Sequence, residues 1–271
     1  ISGVSELCIL DDADSTHSSV GRLFDELPDG SLVVARHQTA GRGRRGRVWI
    51  SPPGMNFAGT VVLKRLEDGF HAGWLTGIAT LGVLRERAPE VRADLQWPKD
   101  IYVEEKKRAG ILSESARMER GRITGVVSGV GVNLNLPPEM LAKIDQPATS
   151  LFAETNREFN LDFFAKKLAE SAIRYYITYL KSAGAILSEW KRANLLVGEP
   201  LEVVDSREVT HAGIFRAILD DGSMAFEENG TTKTFQCGDV KIRRESVDWR
   251  RLNQKCLDFS DSFKQTKEKE K

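Results

Sequence analysis

The sequence predicts an α+β fold in which helices flank a mixed β-sheet and a small β-rich part follows. From residue 6 to about residue 195, short apolar segments alternate with helical patterns, which favours a sheet backed by helices. After Val197 the pattern changes to short alternating stretches, with Asp221-Gly222 as a hairpin turn between two of them. We therefore expect a larger domain at 1–196, a small β barrel or meander at 197–245 and a charged tail at 246–271.

The larger domain opens with a strand and a helix. Residues 6–10 form a short apolar segment, and Asp14 or Ser15 can cap the helix that follows. The apolar face of this helix comprises Val20, Leu23, Phe24 and Leu27. The other expected strands lie at 31–35, 55–63, 95–97, 101–103, 109–114 and 123–133, and the other expected helices lie at 71–87, from 161 onwards and at 185–195.

Composition and charge exclude several classes of protein. The 271 residues include 39 Lys and Arg against 39 Asp and Glu, so the whole chain has no electrostatic field that would attract nucleic acid. No apolar run approaches the ~20 residues that a membrane-spanning helix needs. The cysteines (Cys8, Cys237 and Cys256) lie far apart without metal-type spacing, which favours a reducing compartment. We expect a cytoplasmic protein without nucleic-acid or membrane partners.

The most informative segment is QTAGRGRRGRVW, residues 38–49, where Gly41, Gly43 and Gly46 alternate with arginines. Glycine permits tight backbone turns, and guanidinium groups match the geometry of phosphate. A solvated or RNA-binding arginine-glycine tract has a similar composition, but such tracts are usually longer, repetitive and outside folded domains. Because this segment lies between two expected strands, we favour a loop that binds phosphate.

Two weaker motifs follow this loop. Residues 95–114 predict three strands joined by turns, with Lys107 just before a buried strand. By itself this lysine is more typical of a solvated hairpin turn. Residues 126–135, VVSGVGVNLN, predict a strand whose Gly129 and Gly131 leave room for the close approach of a ligand or another chain. The asparagines at its end could equally be ordinary polar groups.

Together, and in this order, these motifs resemble the biotin protein ligase family. That family has a Ser-Thr-Asn near its first helix, a GRGRxGRxW loop, a Lys-Trp-Pro-Asn-Asp turn, a Lys-x-x-Gly-Ile-Leu strand and a Gly-x-Gly-x-Asn strand. The matching residues are 14–17, 41–49, 96–100, 107–112 and 129–133. The segment ending CGDVKIR resembles the family's C-terminal SH3-like barrel. The resemblance implies the biotin/lipoate ligase fold, which is similar to that of class II synthetases.

The resemblance also implies a two-step reaction with biotin and ATP as substrates and Mg²⁺ as cofactor. Biotin and ATP would give biotinyl-AMP and pyrophosphate, and the acyl group would pass to a lysine of a biotin carboxyl carrier protein or domain. Because a carboxylate must meet an anionic α-phosphate, positive charge has to be preorganised between them. Family members often pair through sheet edges, so a homodimer is compatible with the resemblance. The residues before Ser15 are too few for the DNA-binding winged helix of some members, so we expect a monofunctional ligase.

Particular residues acquire roles from this resemblance. The catalytic residues would be Lys107, Arg44 and Asp100. The lysine matches the family residue that bridges the biotin carboxylate and the α-phosphate, whereas for the aspartate we infer from its position alone that it orients the acceptor amine or takes up a proton. No protein residue is implied as a metal ligand. The residues that match the biotin site are Ser15, Thr16, Gln38, Gly41, Arg42, Arg44, Lys107 and Gly110. The residues that match the ATP site are Arg42, Arg44, Arg47, Trp49, Asn133 and Arg243.

Three residues depart from the family pattern: His17 replaces Asn, Gln96 replaces Lys and Lys99 replaces Asn. These substitutions leave open a non-catalytic binding protein of the same fold. A lipoate or octanoate ligase shares the catalytic fold, but the arginine-glycine loop and the small β domain argue against it. A nucleic-acid-binding module has only the RGRRGR segment in its favour, against a net charge of zero.

Overall fold

The computed structural model of the chain describes residues 5–43, 46–236, 240–243, 246–249 and 252. The chain divides into two compact units, Ile1–Asn194 and Leu195–Lys271. Most of the expected charged tail, together with Cys237 and Cys256, lies outside the described residues.

Within the described residues, the first unit contains a sheet of seven strands. They are β1 (Leu7–Ala13), β2 (Leu32–Gln38), β3 (Asn56–Leu63), β4 (Asp94–Gln96), β5 (Asp100–Val103), β6 (Lys106–Glu119) and β7 (Arg122–Asn133). Their order is β1-β2-β3-β7-β6-β5-β4, and β1 runs parallel to β2 while the other neighbours pair antiparallel. This arrangement confirms the predicted mixed sheet.

The described part of the chain also contains six helices. They are α1 (Thr16–Arg22), α2 (Gly69–Arg87), α3 (Pro138–Leu141), α4 (Leu151–Thr155), α5 (Leu161–Lys181) and α6 (Ala183–Ala193). The long helices begin at capped ends, because Asp68 accepts from the N–H of His71 and Asn160 from that of Phe163, which satisfies otherwise unpaired backbone donors. None of these helices combines the length and apolarity needed to span a membrane.

The first helix is shorter than the sequence predicts. It ends at Arg22, and the prediction that Leu23 belongs to its buried face is wrong, since that side chain is 44% exposed. A glycine at position 21 and a proline at position 28 both disfavour a longer helix here. Two of its expected apolar residues are nevertheless buried, in a cluster that comprises Val20, Phe24, Val33, Val62 and Val127.

The two faces of the first sheet have different neighbours. Phe57 packs against Phe164 of α5, with ring centroids 5.2 Å apart. Thr60, three residues along the same strand, donates a hydrogen bond to Thr16 of α1 at 3.0 Å. Because successive side chains of a strand point to opposite faces, α5 and α1 lie on opposite sides of the sheet. The helix α1 spans only seven residues, so most of its face of the sheet is left to loops and to the site described below.

The second unit contains a five-stranded antiparallel sheet among its described residues. The strands are β8 (Pro200–Asp205), β9 (Thr210–Ile218), β10 (Met224–Glu228), β11 (Thr231–Phe235) and β12 (Val240–Arg243), in the order β11-β10-β9-β8-β12. Gly222 has a φ of +83° in the turn between β9 and β10, as expected for the glycine of a tight hairpin. Within the described residues β11 and β12 do not pair, so the sheet is not closed into a barrel there.

Close backbone packing in the second sheet makes Gly213 sensitive to substitution. A methyl group added at Gly213 in β9 would lie 2.1 Å from the carbonyl oxygen of Glu227 in β10. We expect Gly213→Ala to lower the free energy of unfolding by about 1–3 kcal/mol, because the two strands must separate. Urea unfolding monitored by circular dichroism measures this change.

Gly82→Ala in α2 is the control, because its added methyl group would meet only the hydroxyl of Ser171 at 4.0 Å. We expect this variant to lose no stability or to gain about 0.4–1 kcal/mol. Equal losses in the two variants would contradict the packing explanation.

Candidate functional site

The candidate site lies on the sheet face that carries α1. Gly110 of β6 and Gly129 and Gly131 of β7 leave this part of the sheet without side chains, with Gly110 directly opposite Gly131. A methyl group at Gly131 would lie 2.3 Å from the ring of Trp49, and one at Gly110 would lie 3.2 Å from Cε of Lys107. The sheet backbone therefore forms a glycine floor (Gly110, Gly129 and Gly131) that the surrounding side chains approach directly.

A largely buried ion pair stands beside the glycine floor. The Nζ atom of Lys107 lies 2.8 Å from Oδ2 of Asp100, and the two side chains are 15% and 20% exposed. Burial lowers the pKa of Lys107, but the negative charge of Asp100, the charge interaction with Tyr102 and the hydrogen bond to Asp100 together outweigh it, so the pKa of Lys107 is raised. Lys107 therefore carries a fixed positive charge at neutral pH.

A short backbone segment, residues 147–149, holds Lys107 from the other side. The N–H of Lys107 donates to the carbonyl of Pro147, and the N–H of Thr149 donates to the carbonyl of Lys107, both at 2.9 Å. The side chain of Asn133, the last residue of β7, donates to the carbonyl of Thr149 at 3.1 Å. The segment thus continues the pairing of β6 where β7 ends. No sequence motif marks this segment, and its contact with Lys107 was not predicted.

Arg108 is a buried side chain that contacts the backbone next to the 147–149 segment. Its side chain is completely buried, and burial lowers its pKa to about 10 despite the attraction of Glu154. Its Nη2 atom donates to the carbonyl of Ser150, directly after the 147–149 segment, at 3.2 Å. This contact was also not anticipated, because nothing in the sequence distinguishes a buried arginine from an exposed one.

The arginine-glycine loop between β2 and β3 is held by its own backbone. The N–H of Trp49 donates to the carbonyl of Gly41 at 2.9 Å, and the N–H of Gly43 donates to that of Arg47 at 2.7 Å. Gly41 is required here, since an added methyl group would lie 2.4 Å from the carbonyl oxygen of Trp49. The positive charge of Arg47 is near enough to Lys107 to counteract part of the rise in its pKa. The predicted site residue Arg44 lies outside the described residues.

A group of buried polar residues lies at the start of α1. The side-chain oxygen of Gln38 accepts hydrogen bonds from the N–H of Thr16 at 2.8 Å and from its hydroxyl at 3.2 Å. Ser15 occupies the N-cap position of α1, is buried, and makes no capping hydrogen bond with its side chain. The amide nitrogen of Gln38 would lie 3.0 Å from a methyl group at Gly41. The structure thus brings these four predicted residues together.

Glu114 of β6 connects α1 with the arginine-glycine loop. Its Oε2 atom lies 2.9 Å from Nε2 of His17, and its Oε1 atom lies 3.2 Å from Nη2 of Arg42. Burial lowers the pKa of His17, although the charge of Glu114 opposes this effect. Glu114 was not among the predicted site residues, since the sequence does not show that it meets an arginine 72 residues earlier.

The two substituted residues of the 96–100 turn have distinct surroundings. The ammonium group of Lys99 donates a hydrogen bond to the carbonyl of Ile111, one residue beyond Gly110. Gln96 is buried, and its side-chain oxygen has no hydrogen-bond partner among the described residues. A positive charge is therefore present beside the glycine floor, carried by residue 99 and not by residue 96.

Arg243 belongs to the second unit, in β12, where its Nη1 atom lies 3.2 Å from Oε2 of Glu202. Its expected role at a nucleotide site stays a prediction. As far as the structure describes the chain, no group of three or more His, Cys, Asp or Glu side chains is arranged to hold a metal ion.

The contact between Gly131 and Trp49 can be tested by substitution. We expect Gly131→Ala to displace the Trp49 ring, because its methyl group would lie 2.3 Å from that ring. The indole N–H resonance of Trp49, assigned with Trp49→Phe, should shift. Gly125→Ala on the same strand is the control, since its methyl group would meet Phe24 at 2.4 Å and leave Trp49 in place. An unchanged Trp49 resonance in Gly131→Ala would refute the contact.

The charge balance at Lys107 predicts an inverted pH dependence in Asp100→Asn. In the parent, the folded-state pKa lies above the ordinary 10.5, so the stability contributed by Lys107 is present below 10.5 and is lost as pH rises through the folded value. In Asp100→Asn, burial and the charge of Arg47 are opposed only by the smaller effect of Tyr102, so we expect the pKa to fall below 10.5 and the stability to rise as pH rises through it.

Titration of the labelled Lys107 side chain by NMR, assigned with Lys107→Ala, measures the pKa in parent and variant. The exposed neighbour Lys106 serves as an internal control in the same spectra. A Lys107 pKa that does not fall in Asp100→Asn would show that Asp100 does not set it.

Comparison with known proteins identifies the family. The model of the Biotin/lipoate A/B protein ligase family matches residues 10–133, which include the whole glycine floor. A biotin--[acetyl-CoA-carboxylase] ligase from Paracoccus denitrificans is 34% identical over 219 residues, which cover 78% of this chain and 90% of that protein. The bifunctional ligase/repressor BirA of Escherichia coli (strain K12) is 28% identical over 247 residues, which cover 88% of this chain and 74% of that protein.

Solved structures share the fold. The biotin protein ligase from Aquifex aeolicus in complex with biotin and ATP has a TM-score of 0.74 at 23% identity, covering 89% of this chain and 100% of that one. The biotin protein ligase from Leishmania major in complex with biotinyl-5-AMP has a TM-score of 0.54 at 19% identity, covering 87% and 100%. Because the family model spans the sheet that carries the site, and the Paracoccus relative is matched along most of its length, the chain belongs to the biotin protein ligase family.

Proposed function

We propose that this chain activates biotin with ATP, forming biotinyl-AMP and pyrophosphate, and then transfers the biotinyl group to a lysine of a biotin carboxyl carrier protein or domain. The observation that carries the proposal is the convergence of a buried, charged lysine and the arginine-glycine loop on one glycine floor. The 34% identical relative named biotin--[acetyl-CoA-carboxylase] ligase supports a carboxylase carrier as the acceptor.

The first step brings two anions together. A carboxylate oxygen of biotin attacks the α-phosphorus of ATP, and the bond from that phosphorus to the oxygen of the leaving pyrophosphate breaks. The charge of Lys107 would stabilise the pentavalent transition state, because it is fixed in place before the ligands arrive. Asp100 keeps this lysine protonated, and the hydrogen bonds to Pro147 and Thr149 fix its backbone.

The arginine-glycine loop and the end of β7 suit the nucleotide. The guanidinium groups of Arg42 and Arg47, with that of Arg44, would bind the phosphates of ATP and the departing pyrophosphate. The ring of Trp49 lies against Gly131, and Asn133 lies beside the 147–149 segment, so both would border the nucleotide. Close approach of the ligand to the backbone depends on the missing side chains of the glycine floor.

The polar group at the start of α1 suits the ureido edge of biotin. A largely apolar ligand of this kind needs a few fixed donors and acceptors in its pocket. Ser15, Thr16 and Gln38 are buried and polar, and the hydrogen bonds between Gln38 and Thr16 fix their orientation. Gly41 and Gly110 would let the ligand pass close to the backbone between this group and Lys107.

The donor set of the site fits Mg²⁺ only as an ion that ATP carries. Among the described residues there is no cluster of three metal-binding side chains, and the carboxylate beside Lys107 is engaged in the ion pair. Mg²⁺ is commonly bound by substrate phosphates and water, so a cage of protein ligands is not required. When bound, it would neutralise the charge of the polyphosphate.

The second step requires a neutral acceptor amine. That amine attacks the acyl carbon of biotinyl-AMP, the bond from this carbon to the phosphate oxygen breaks, and AMP leaves. Asp100 would orient the amine or take up its proton. Because Asp100 also holds Lys107, we expect its replacement to affect both steps and not transfer alone.

We further infer that the second unit is an SH3-like barrel, because its five antiparallel strands and the CGDVKIR segment resemble that domain of the family. The resemblance also supports a homodimer formed through sheet edges. The widely separated cysteines support a cytoplasmic location, and the balanced charge supports partners other than nucleic acid.

Exchange of labelled pyrophosphate into ATP tests the first step. We expect biotin to stimulate exchange and lipoate not to do so. Lys107→Ala should lower the biotin-dependent rate by about 10²–10³, because the charge at the transition state is lost. Lys106→Ala is the matched control: the neighbouring side chain is exposed, and its removal should leave the rate within about two-fold.

Exchange stimulated only by lipoate would assign the chain to lipoate activation. No exchange with either acid would favour a binding protein of the same fold. Equal losses in Lys106→Ala and Lys107→Ala would contradict the role of Lys107.

A further inference from the structure

A relay of three side chains connects the buried start of α1 with the arginine-glycine loop. His17 lies 2.9 Å from one oxygen of Glu114, and Arg42 lies 3.2 Å from the other. The side chain of His17 is 6% exposed, whereas those of Glu114 and Arg42 are 41% and 48% exposed. The histidine is thus the anchored end of the relay, and the arginine is the end that faces solvent.

The surroundings of His17 determine which nitrogen carries its proton. A methyl group at Gly129 would lie 2.8 Å from Nδ1, so this nitrogen faces the glycine floor, and the other nitrogen faces Glu114. Burial lowers the pKa of His17, although the charge of Glu114 opposes this effect, and the lowered pKa favours the neutral ring. A bare nitrogen 2.9 Å from a carboxylate oxygen would be repelled by it, so we assign the proton to Nε2. Although the two atoms are 2.9 Å apart, the contact does not have the geometry of a hydrogen bond.

Glu114 restricts a side chain that would otherwise be free to rotate. A long arginine side chain loses about 2 kcal/mol of rotamer entropy when it is ordered. Glu114 accepts a hydrogen bond from Nη2 of Arg42, and the guanidinium group has further N–H donors that could bind an anion. An arginine that is already ordered in this way binds an anion at lower entropic cost.

We propose that His17 is a positioning residue, which holds Glu114 so that Glu114 holds Arg42 ready for the anionic ligand. The part of this inference that concerns the ligand rests on the proposed function. The relay itself consists only of side chains of this chain, and it can be tested without any ligand.

The test compares two substitutions of His17 whose side-chain amides differ in reach. The amide nitrogen of glutamine lies close to where Nε2 of histidine lies, whereas that of asparagine reaches only the position of Nδ1. His17→Gln should therefore keep the contact with Glu114, and His17→Asn should lose it. Glu114→Gln removes the charge that holds Arg42. Glu119→Gln is the matched control, because Glu119 is exposed at the far end of the same strand.

Chemical labelling of Arg42 measures how far the relay restricts the guanidinium group of this residue. Phenylglyoxal modifies accessible guanidinium groups, and mass spectrometry measures modification of Arg42 relative to Arg192, which is exposed on α6. In ligand-free protein we expect Glu114→Gln and His17→Asn to raise labelling of Arg42 about two- to five-fold, the range for a partly exposed ion pair. His17→Gln and Glu119→Gln should label like the parent.

Equal labelling of Arg42 in all variants would overturn the proposal. So would increased labelling in His17→Gln equal to that in His17→Asn, because the effect would then come from any change at this buried position. Urea unfolding of each variant identifies such a general loss of stability.

Kinetics of the biotin-dependent exchange reaction test the consequence for the ligand. We expect Glu114→Gln and His17→Asn to raise the KM for biotin about two- to five-fold and to change kcat less than two-fold. A lower KM in Glu114→Gln would show that Glu114 competes with the ligand, and it would overturn the positioning role. If biotin supports no exchange in the parent, the proposed function fails, and the labelling experiment still decides whether the relay exists.

Discussion

The site depends on keeping one lysine charged in a place with little access to water. Removing an ammonium group from water is unfavourable, and here the carboxylate of Asp100 at 2.8 Å, together with Tyr102, more than compensates for the burial of Lys107. The surrounding backbone holds Lys107 in place, since its carbonyl and N–H both form hydrogen bonds with the 147–149 segment. Gly110 leaves the space into which the lysine side chain extends.

Positive charges that are gathered at an anion-binding site repel one another when no anion is bound. The loop brings Arg47 near enough to Lys107 to affect its pKa, and it places Arg42 against Glu114. Each of Lys107 and Arg42 has a carboxylate partner within the chain itself. This pairing lets the fold bring several positive charges together. The guanidinium and ammonium donors that do not contact these carboxylates can then bind ligand phosphates or carboxylates.

The elements that follow local patterns were predictable, and those that depend on their surroundings were not. The sheet strands and the long helices lie close to the predicted ranges because apolar periodicity and caps act over a few residues. The first helix was predicted too long, since Leu23 follows the helical pattern but lies beyond the last helical turn. The strand β6 was predicted to end at Glu114, but it extends to Glu119 because it pairs with β7 up to their connecting turn.

The sequence by itself determined the chemical groups of the site and their order along the chain. The glycines, the arginines and Lys107 occur in local motifs, because a tight loop or a close approach to the backbone requires particular residue types at fixed spacing. Only the tertiary structure decided which of these groups meet. Glu114 reaches Arg42 and His17, and the 147–149 segment reaches Lys107, because sheet pairing brings together residues that are distant in sequence. Charged side chains have no periodic signature that reveals such partners in advance.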